Sequence, residues 1–159
     1  MTDCYLITGA SAGLGSLFAA RLAAEGHDLV LVARRADRLH QLASALHEQH
    51  GIHVTVIVAD LTEAGAVAEL TADLERQGVV VTHLVNNAGY GLRGPFAELD
   101  GPSQARMIDL NCRVPVELAH AVLPGMLAAG RGGILNVAST AAFQPGPWMA
   151  VYYASRRFF

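Results

Sequence analysis

At 159 residues the chain has the length of one domain with a single hydrophobic core and is too short for two ordinary ones. Hydrophobic residues make up 52% and charged residues 16%, which excludes intrinsic disorder and points to extensive internal burial. The formal net charge of −3 comes from 14 acids against 11 bases with no basic run, so neither nucleic acid nor an anionic membrane is an expected partner.

The run from Cys4 to Thr8 is apolar and stops at Gly9, and a second run from Asp28 to Ala33 reads Asp-Leu-Val-Leu-Val-Ala. Continuous rather than alternating apolar residues are the mark of parallel strands buried on both faces. Between them Leu14, Leu17, Phe18 and Leu22 keep the spacing of a helix face, and Gly26 stands where a left-handed residue would end that helix. Leu39, Leu42, Ala43 and Leu46 mark a second helix, and residues 52–59 a third strand. Val67, Leu70 and Leu74 mark a third helix that Thr62 would cap and Gly78 would stop, before a fourth strand over 82–86.

A Gly/Pro-rich loop over residues 89–95 precedes a long helical segment, about 103–129, in which Pro115 and Pro124 predict a bend or step. A fifth strand over 134–138, a loop over 144–147 and the start of a last helix complete the pattern. Such alternation predicts one α/β domain over residues 1–159, a parallel sheet covered by helices on both faces with right-handed crossovers.

Cys4 and Cys112 are the only cysteines and form no Cys-x-x-Cys pair, so neither a disulfide framework nor a thiolate zinc site is expected; both read as buried free thiols. The seven histidines form no metal-ligand set, and His47, His50 and His53 fall across a helix end and a strand start, where solvated or capping roles are expected. With no secretory leader pattern and no uncharged stretch of about 20 residues, the sequence predicts a cytoplasmic location.

The first strand runs straight into Thr8-Gly9-Ala10-Ser11-Ala12-Gly13-Leu14-Gly15, a turn that opens a helix. A glycine-rich turn in that context lets backbone N–H groups approach a pyrophosphate at the positive end of the helix dipole. The spacing of Gly9, Gly13 and Gly15 is not G-x-G-x-x-G, and a tight structural turn is the competing reading. A nucleoside triphosphatase loop is disfavoured, because Ser16 follows Gly15 and the chain contains no Lys.

Where an acidic residue would hold a ribose 2′-hydroxyl, the second strand ends in Ala33-Arg34-Arg35. Positive charge there suits a 2′-phosphate and favours NADP(H) over NAD(H), against the alternative that both arginines are simply solvated. Asp60 reads either as an acceptor for an adenine amino group or as a helix-capping or turn residue. In Asn86-Asn87-Ala88-Gly89 the amides can tie strand ends together and Gly89 lets a cofactor approach the backbone.

Taken jointly, residues 8–15 (TGASAGLG), 86–89 (NNAG), Asn111, 136–140 (NVAST) and 152–155 (YYAS) resemble the short-chain dehydrogenase/reductase family, in order and across essentially the whole chain. The resemblance implies a Rossmann-type doubly wound parallel sheet and reversible hydride transfer between NADP(H) and a carbonyl or alcohol carbon of a small molecule. It also implies Asn111, Ser139 and Tyr152 as catalytic positions, and places the cofactor against Gly9, Ser11, Gly13, Leu14, Gly15, Asn87, Ala88 and Gly89 as well as Arg34, Arg35 and Asp60. Tyr152 would act as the acid that protonates the carbonyl oxygen, Ser139 would hold that oxygen, and Asn111 would position a water in a proton relay. Tyr153 is the adjacent competitor, disfavoured by its spacing to Ser139.

Two departures stand out. The family's Tyr-x-x-x-Lys is here Tyr152-Tyr153-Ala154-Ser155-Arg156, and Arg156 is a poor proton relay because its pKa exceeds about 12 and its guanidinium is wide and planar. The sequence also stops seven residues after Tyr152, so the family's last strands are expected to be missing, the fifth strand to form an exposed edge, and the chain to self-associate or form a homo-oligomer. The expectation is an NADP(H)-dependent oxidoreductase with impaired chemistry. The alternatives are a noncatalytic dinucleotide-binding or interaction protein, and an incomplete gene product.

Overall fold

The computed structural model describes residues 2–158. Its elements in chain order are β1 (Cys4–Thr8), α1 (Gly13–Ala24), β2 (Asp28–Ala33), α2 (Ala36–His50), β3 (Val54–Val58), α3 (Ala66–Arg76), β4 (His83–Asn86), α4 (Gly101–Ile108), α5 (Val114–Ala129), β5 (Gly133–Asn136) and α6 (Ala150–Arg156). The strands pair in the order β3-β2-β1-β4-β5, every pair parallel. The chain therefore leaves β3 at one edge and returns to lay β4 beside β1. At such a reversal of strand order the carboxyl ends of the two strands open a crevice.

Successive side chains of a strand point to opposite faces, and here each face meets its own pair of helices. Leu6, Val30, Val32 and Leu84 pack on one side with Val67, Leu70 and Leu74 of α3 and Leu118, Val122 and Met126 of α5. Ile7, Leu29, Leu31 and Val85 pack on the other with Ala19 and Ala23 of α1 and Leu39, Ala43 and Leu46 of α2. Burial on both faces is why the strands are apolar without alternation, and each fully buried Leu or Ile contributes about 1.5–3 kcal/mol.

Of the helix face expected for α1, Phe18 and Leu22 pack against the sheet-side cluster and the first turn is corrected. Leu14 and Leu17 are exposed, at 57% and 64%, while Gly15, Ala19 and Ala23 face the sheet. The reason is distance: a Cβ at residue 15 would collide with the Gly9 carbonyl oxygen, so α1 lies too close to the strand ends to seat a leucine there. Gly26, at φ +82°, ends the helix as expected.

In α3 the N-cap is Gly65 at φ +80°, and Thr62 does not cap it; the Thr62 N–H and hydroxyl both donate to Asp60. Gly78 follows α3 at φ +68°. The third strand is shorter than its apolar run, and His47 at the end of α2 uses Nδ1 on the Ile52 carbonyl at 2.8 Å.

The long helical segment is stepped at one place, a π-helical turn over Asp109–Arg113 between α4 and α5. Pro115 has no N–H for the carbonyl of Asn111 four residues earlier, so the regular ladder cannot pass through this point. Pro124 lies inside α5. The fifth strand is shorter than expected and forms a sheet edge, with Ile134 38% and Leu135 46% exposed. Among the described residues no helix is long and apolar enough to cross a membrane.

Candidate active site

Thr8, at the end of β1, knits the crevice floor. Its hydroxyl donates to the Val85 carbonyl and accepts from the N–H groups of Asn87 and Ala88, at 3.0 and 2.9 Å. The Asn87 amide returns the link, donating from Nδ2 to the Thr8 carbonyl at 2.9 Å, and Asn86 donates to Asn136 Oδ1 across to β5 at 2.9 Å. The ends of β1, β4 and β5 are thereby held in register where the crevice opens.

That crevice has a volume of about 680 Å³. It gathers Gly9, Ser11, Leu14, Arg34, Arg35, Asp60, Asn87, Ala88, Gly89, Ser139, Tyr152 and Arg156 from the sequence-derived set. Gly13, Gly15 and Asn111 are not on its wall. Gly13 takes φ +57° with open space beside it, and Gly15 instead permits the close approach of α1. Residues that sequence reasoning does not assign to the site include Tyr90 and Leu110, which lie beside recognised stretches, and Val137 and Ala138, which lie within the 136–140 motif but are given no role.

At one end of the crevice the two arginines are engaged differently. Arg35 donates from Nε and Nη2 to the Ser11 hydroxyl at 3.1 and 2.9 Å, while Arg34 pairs with Asp60 at 3.6 Å. Burial pushes the Asp60 carboxyl up, but the Thr62 hydrogen bonds and the Arg34 charge outweigh it and hold the group below the usual carboxylate range. The N-cap of α1 is Ala12, which supplies no side-chain cap, and the first turn of α1 carries no acid. The positive end of this helix thus remains open to an anion.

At the other end Ser139 caps a short 3₁₀ turn, its hydroxyl oxygen accepting from the Ala141 N–H at 3.1 Å, which leaves the hydroxyl proton to donate elsewhere. Tyr152 lies in the first turn of α6, with the Arg156 guanidinium 5.5 Å from its ring centroid. Arg156 donates from Nη1 to the Val137 carbonyl at 3.2 Å and rests against Gly89 so closely that no Cβ would fit there. Its buried Nε has no partner among the described residues.

Asn111 is 2% exposed and its side chain is spent on structure. Its Oδ1 accepts from the Tyr90 N–H at 3.3 Å, and its Nδ2 donates to the Tyr90 carbonyl at 3.0 Å and the Ser155 hydroxyl at 2.9 Å. Ser155 in turn donates to the Tyr152 carbonyl at 2.9 Å. The amide expected to hold a relay water is therefore committed to joining the loop after β4 to α6.

Burial pushes the Tyr90 phenol up, and its hydroxyl donates to the Ser103 carbonyl at 2.8 Å, so this ring is anchored away from acid–base work. Cys4 is buried, which pushes its thiol up to about 11. Cys112 is only half-buried, against the expectation; burial raises its thiol and the Arg156 charge opposes that.

Comparison with known proteins gives the same frame. The chain is 38% identical over 160 residues to sulfoacetaldehyde reductase 2 of Chromohalobacter salexigens, covering 99% of this chain and 63% of that one. It matches the bulky-bulky ketone specific alcohol dehydrogenase of Comamonas testosteroni at 39% identity with a TM-score of 0.91, covering 98% of this chain and 62% of that one. A short-chain dehydrogenase of Sphingobium yanoikuyae, solved with NADPH, matches at 39% identity and a TM-score of 0.91, covering 98% of this chain and 61% of that one. The chain thus spans less than two thirds of the length of these relatives. The family model described as short chain dehydrogenase matches residues 3–159, and with the parallel sheet and the crevice at its strand reversal, this chain belongs to the short-chain dehydrogenase family.

Proposed function

We propose that the chain is the cofactor-binding and proton-donating part of an NADP(H)-dependent oxidoreductase that interconverts a carbonyl and an alcohol. The observation that carries this reading is one crevice lined at one end by Ser11, Arg34 and Arg35 and at the other by Ser139 and Tyr152. The donor chemistry suits the cofactor: an uncapped helix start for the pyrophosphate, and the Arg35–Ser11 pair with Arg34 for a 2′-phosphate. The Sphingobium protein was solved with NADPH, and a sorbose reductase of Gluconobacter frateurii, 33% identical, with NADPH and L-sorbose.

When bound, a nicotinamide cofactor of this kind supplies the hydride for reduction or accepts it for oxidation. Ser139 donates a hydrogen bond to the carbonyl oxygen and polarises it. The Tyr152 phenol gives its proton to that oxygen as the carbon is reduced, so a carbonyl becomes an alcohol and Tyr152 is left as phenolate. Solvent returns the proton to Tyr152 before the next turnover. Arg156 holds positive charge near the phenol but cannot pass a proton, so turnover is slow.

A second reading, cofactor binding without turnover, is favoured by the commitment of Arg156 to Val137 and Gly89. Reduced Cys4 and Cys112 suit the cytoplasm, and the β5 edge suits self-association. Fluorescence titration with NADPH and NADH, followed by a carbonyl panel, tests the proposal. NADPH binding with slow reduction supports the enzyme, NADPH binding alone supports the second reading, and binding of neither cofactor removes both.

A further inference from the structure

The helix that carries Tyr152 is poorly held by ordinary means. α6 has seven residues, short of the length at which an isolated helix persists in water, and its N-cap, Met149, supplies no side-chain cap. A surface helix is ordinarily docked by an apolar stripe buried against the core. In α6 the one buried residue is polar: Ser155, at 4% exposure, while Val151 and Tyr153 are only half-buried.

Hydrogen bonds on both oxygens of that serine take the place of the stripe. The Ser155 hydroxyl accepts from Asn111 Nδ2 and donates to the Tyr152 carbonyl, each at 2.9 Å, so its single proton and a lone pair are both spent. The Ser155 carbonyl accepts from the Cys112 thiol at 3.5 Å. Asn111 and Cys112 are consecutive residues of the π-helical turn. One residue therefore pins α6 to the long helical segment, and the pin reaches the backbone of the proton donor through a single oxygen.

Helical spacing makes that pin a rotational stop. At about 100° per residue, Tyr152 and Arg156 fall about 40° apart, and Ser155 about 60° from Tyr152 on its other flank. Tyr152 and Arg156 line the crevice, and Ser155 is not on its wall. Turning α6 about its axis would swing the phenol, which projects from the helix as a lever. The Arg156 bond to the Val137 carbonyl runs through a long side chain and does not hold the helix backbone. Little slack is left for such a swing, since the Gly91 backbone closes on the Tyr152 ring until a Cβ there would come within 2.9 Å of it.

We propose that Ser155 is a positioning residue, which fixes the rotation of α6 and so sets where the Tyr152 phenol meets the carbonyl oxygen. The assignment rests on the oxidoreductase reading above. A displacement of about 1 Å at a reacting group costs on the order of 10²-fold in rate, so a small turn of α6 is enough to matter.

Ser155→Ala, made in the full chain, removes both hydroxyl bonds. It is expected to lower kcat by about 10²-fold with KM unchanged, and to leave NADPH affinity within about twofold by fluorescence titration. Cys4 is buried, so Cys112 reports the docking of α6 without any turnover. Its reaction with dithiobis(nitrobenzoate) is expected to speed up at least about tenfold in Ser155→Ala, because the helix over it opens more often. Ser155→Thr keeps the hydroxyl and is expected to restore both the rate and the protection of Cys112. A Ser155→Thr chain no better than Ser155→Ala would overturn the assignment, as would loss of NADPH affinity together with kcat, which would make Ser155 a general support. A parent chain that turns over no carbonyl would overturn the oxidoreductase reading and this role together. Turnover in the parent, with kcat or Cys112 labelling unchanged in Ser155→Ala, overturns this assignment alone.

Discussion

Arg156 sits where the family resemblance calls for Lys, and its guanidinium lies against Gly89 and bonds the Val137 carbonyl. A lysine ammonium is compact enough to release both contacts and can exchange protons near neutral pH when its pKa is lowered. Arg156→Lys is expected to raise the rate of NADPH-dependent reduction by about 10²–10⁴-fold, the range of one acid–base element; steady-state kinetics on a responsive carbonyl check it. Arg35→Ala removes the charged donor held on Ser11, and is expected to weaken NADPH by about 10–100-fold, about 1.5–3 kcal/mol, with NADH affinity unchanged in parallel fluorescence titrations. Asp60 is held below the usual carboxylate range in the folded chain, so its contribution to stability is present above that range and lost as pH falls through the lowered value. Asp60→Asn is accordingly expected to flatten the acid limb of the urea midpoint plotted against pH.

The ends of three strands are joined by side chains rather than by the sheet ladder alone. Thr8, 2% exposed, satisfies the N–H groups of Asn87 and Ala88 with one oxygen. Thr8→Val keeps the shape and removes the acceptor, and is expected to cost about 1–3 kcal/mol in urea unfolding and to weaken cofactor binding at the same time. The elements also explain where residue periodicity misled. In α1 Leu14 and Leu17 suggested a face that Gly15, Ala19 and Ala23 set instead, with Phe18 and Leu22 at its side, because a helix that begins within reach of a strand-end carbonyl has room there only for small residues. Pro115 signalled a step in the long helix, and the π-helical turn over Asp109–Arg113 is that step; it delivers the Asn111 amide to Tyr90 and Ser155.

For the molecule as a whole, the unequal sheet edges matter most. In β5 the apolar side chains of Ile134 and Leu135 stand exposed beside a strand paired on one side only, a geometry that favours edge-to-edge association. Sedimentation velocity is expected to show concentration-dependent association of the chain, and Leu135→Lys to reduce it, since a charged edge resists pairing.

The order of strands and helices, the two-faced burial of β1 and β2, and the residues of the glycine turn were legible in the sequence because they rest on local patterns: apolar runs, glycine placement and short motifs. So was the gathering of Arg34, Arg35, Ser139, Tyr152 and Arg156 at one crevice, through motifs whose meaning is spatial. What only the tertiary structure decided is how each group is spent: Asn111 on Tyr90 and Ser155, Arg34 on Asp60, Arg156 on Gly89 and Val137, and Trp148 in a turn it does not favour. Those partners are far apart in the chain or set by backbone angles, and hydrogen bonds between distant segments leave no periodic trace in the order of residues.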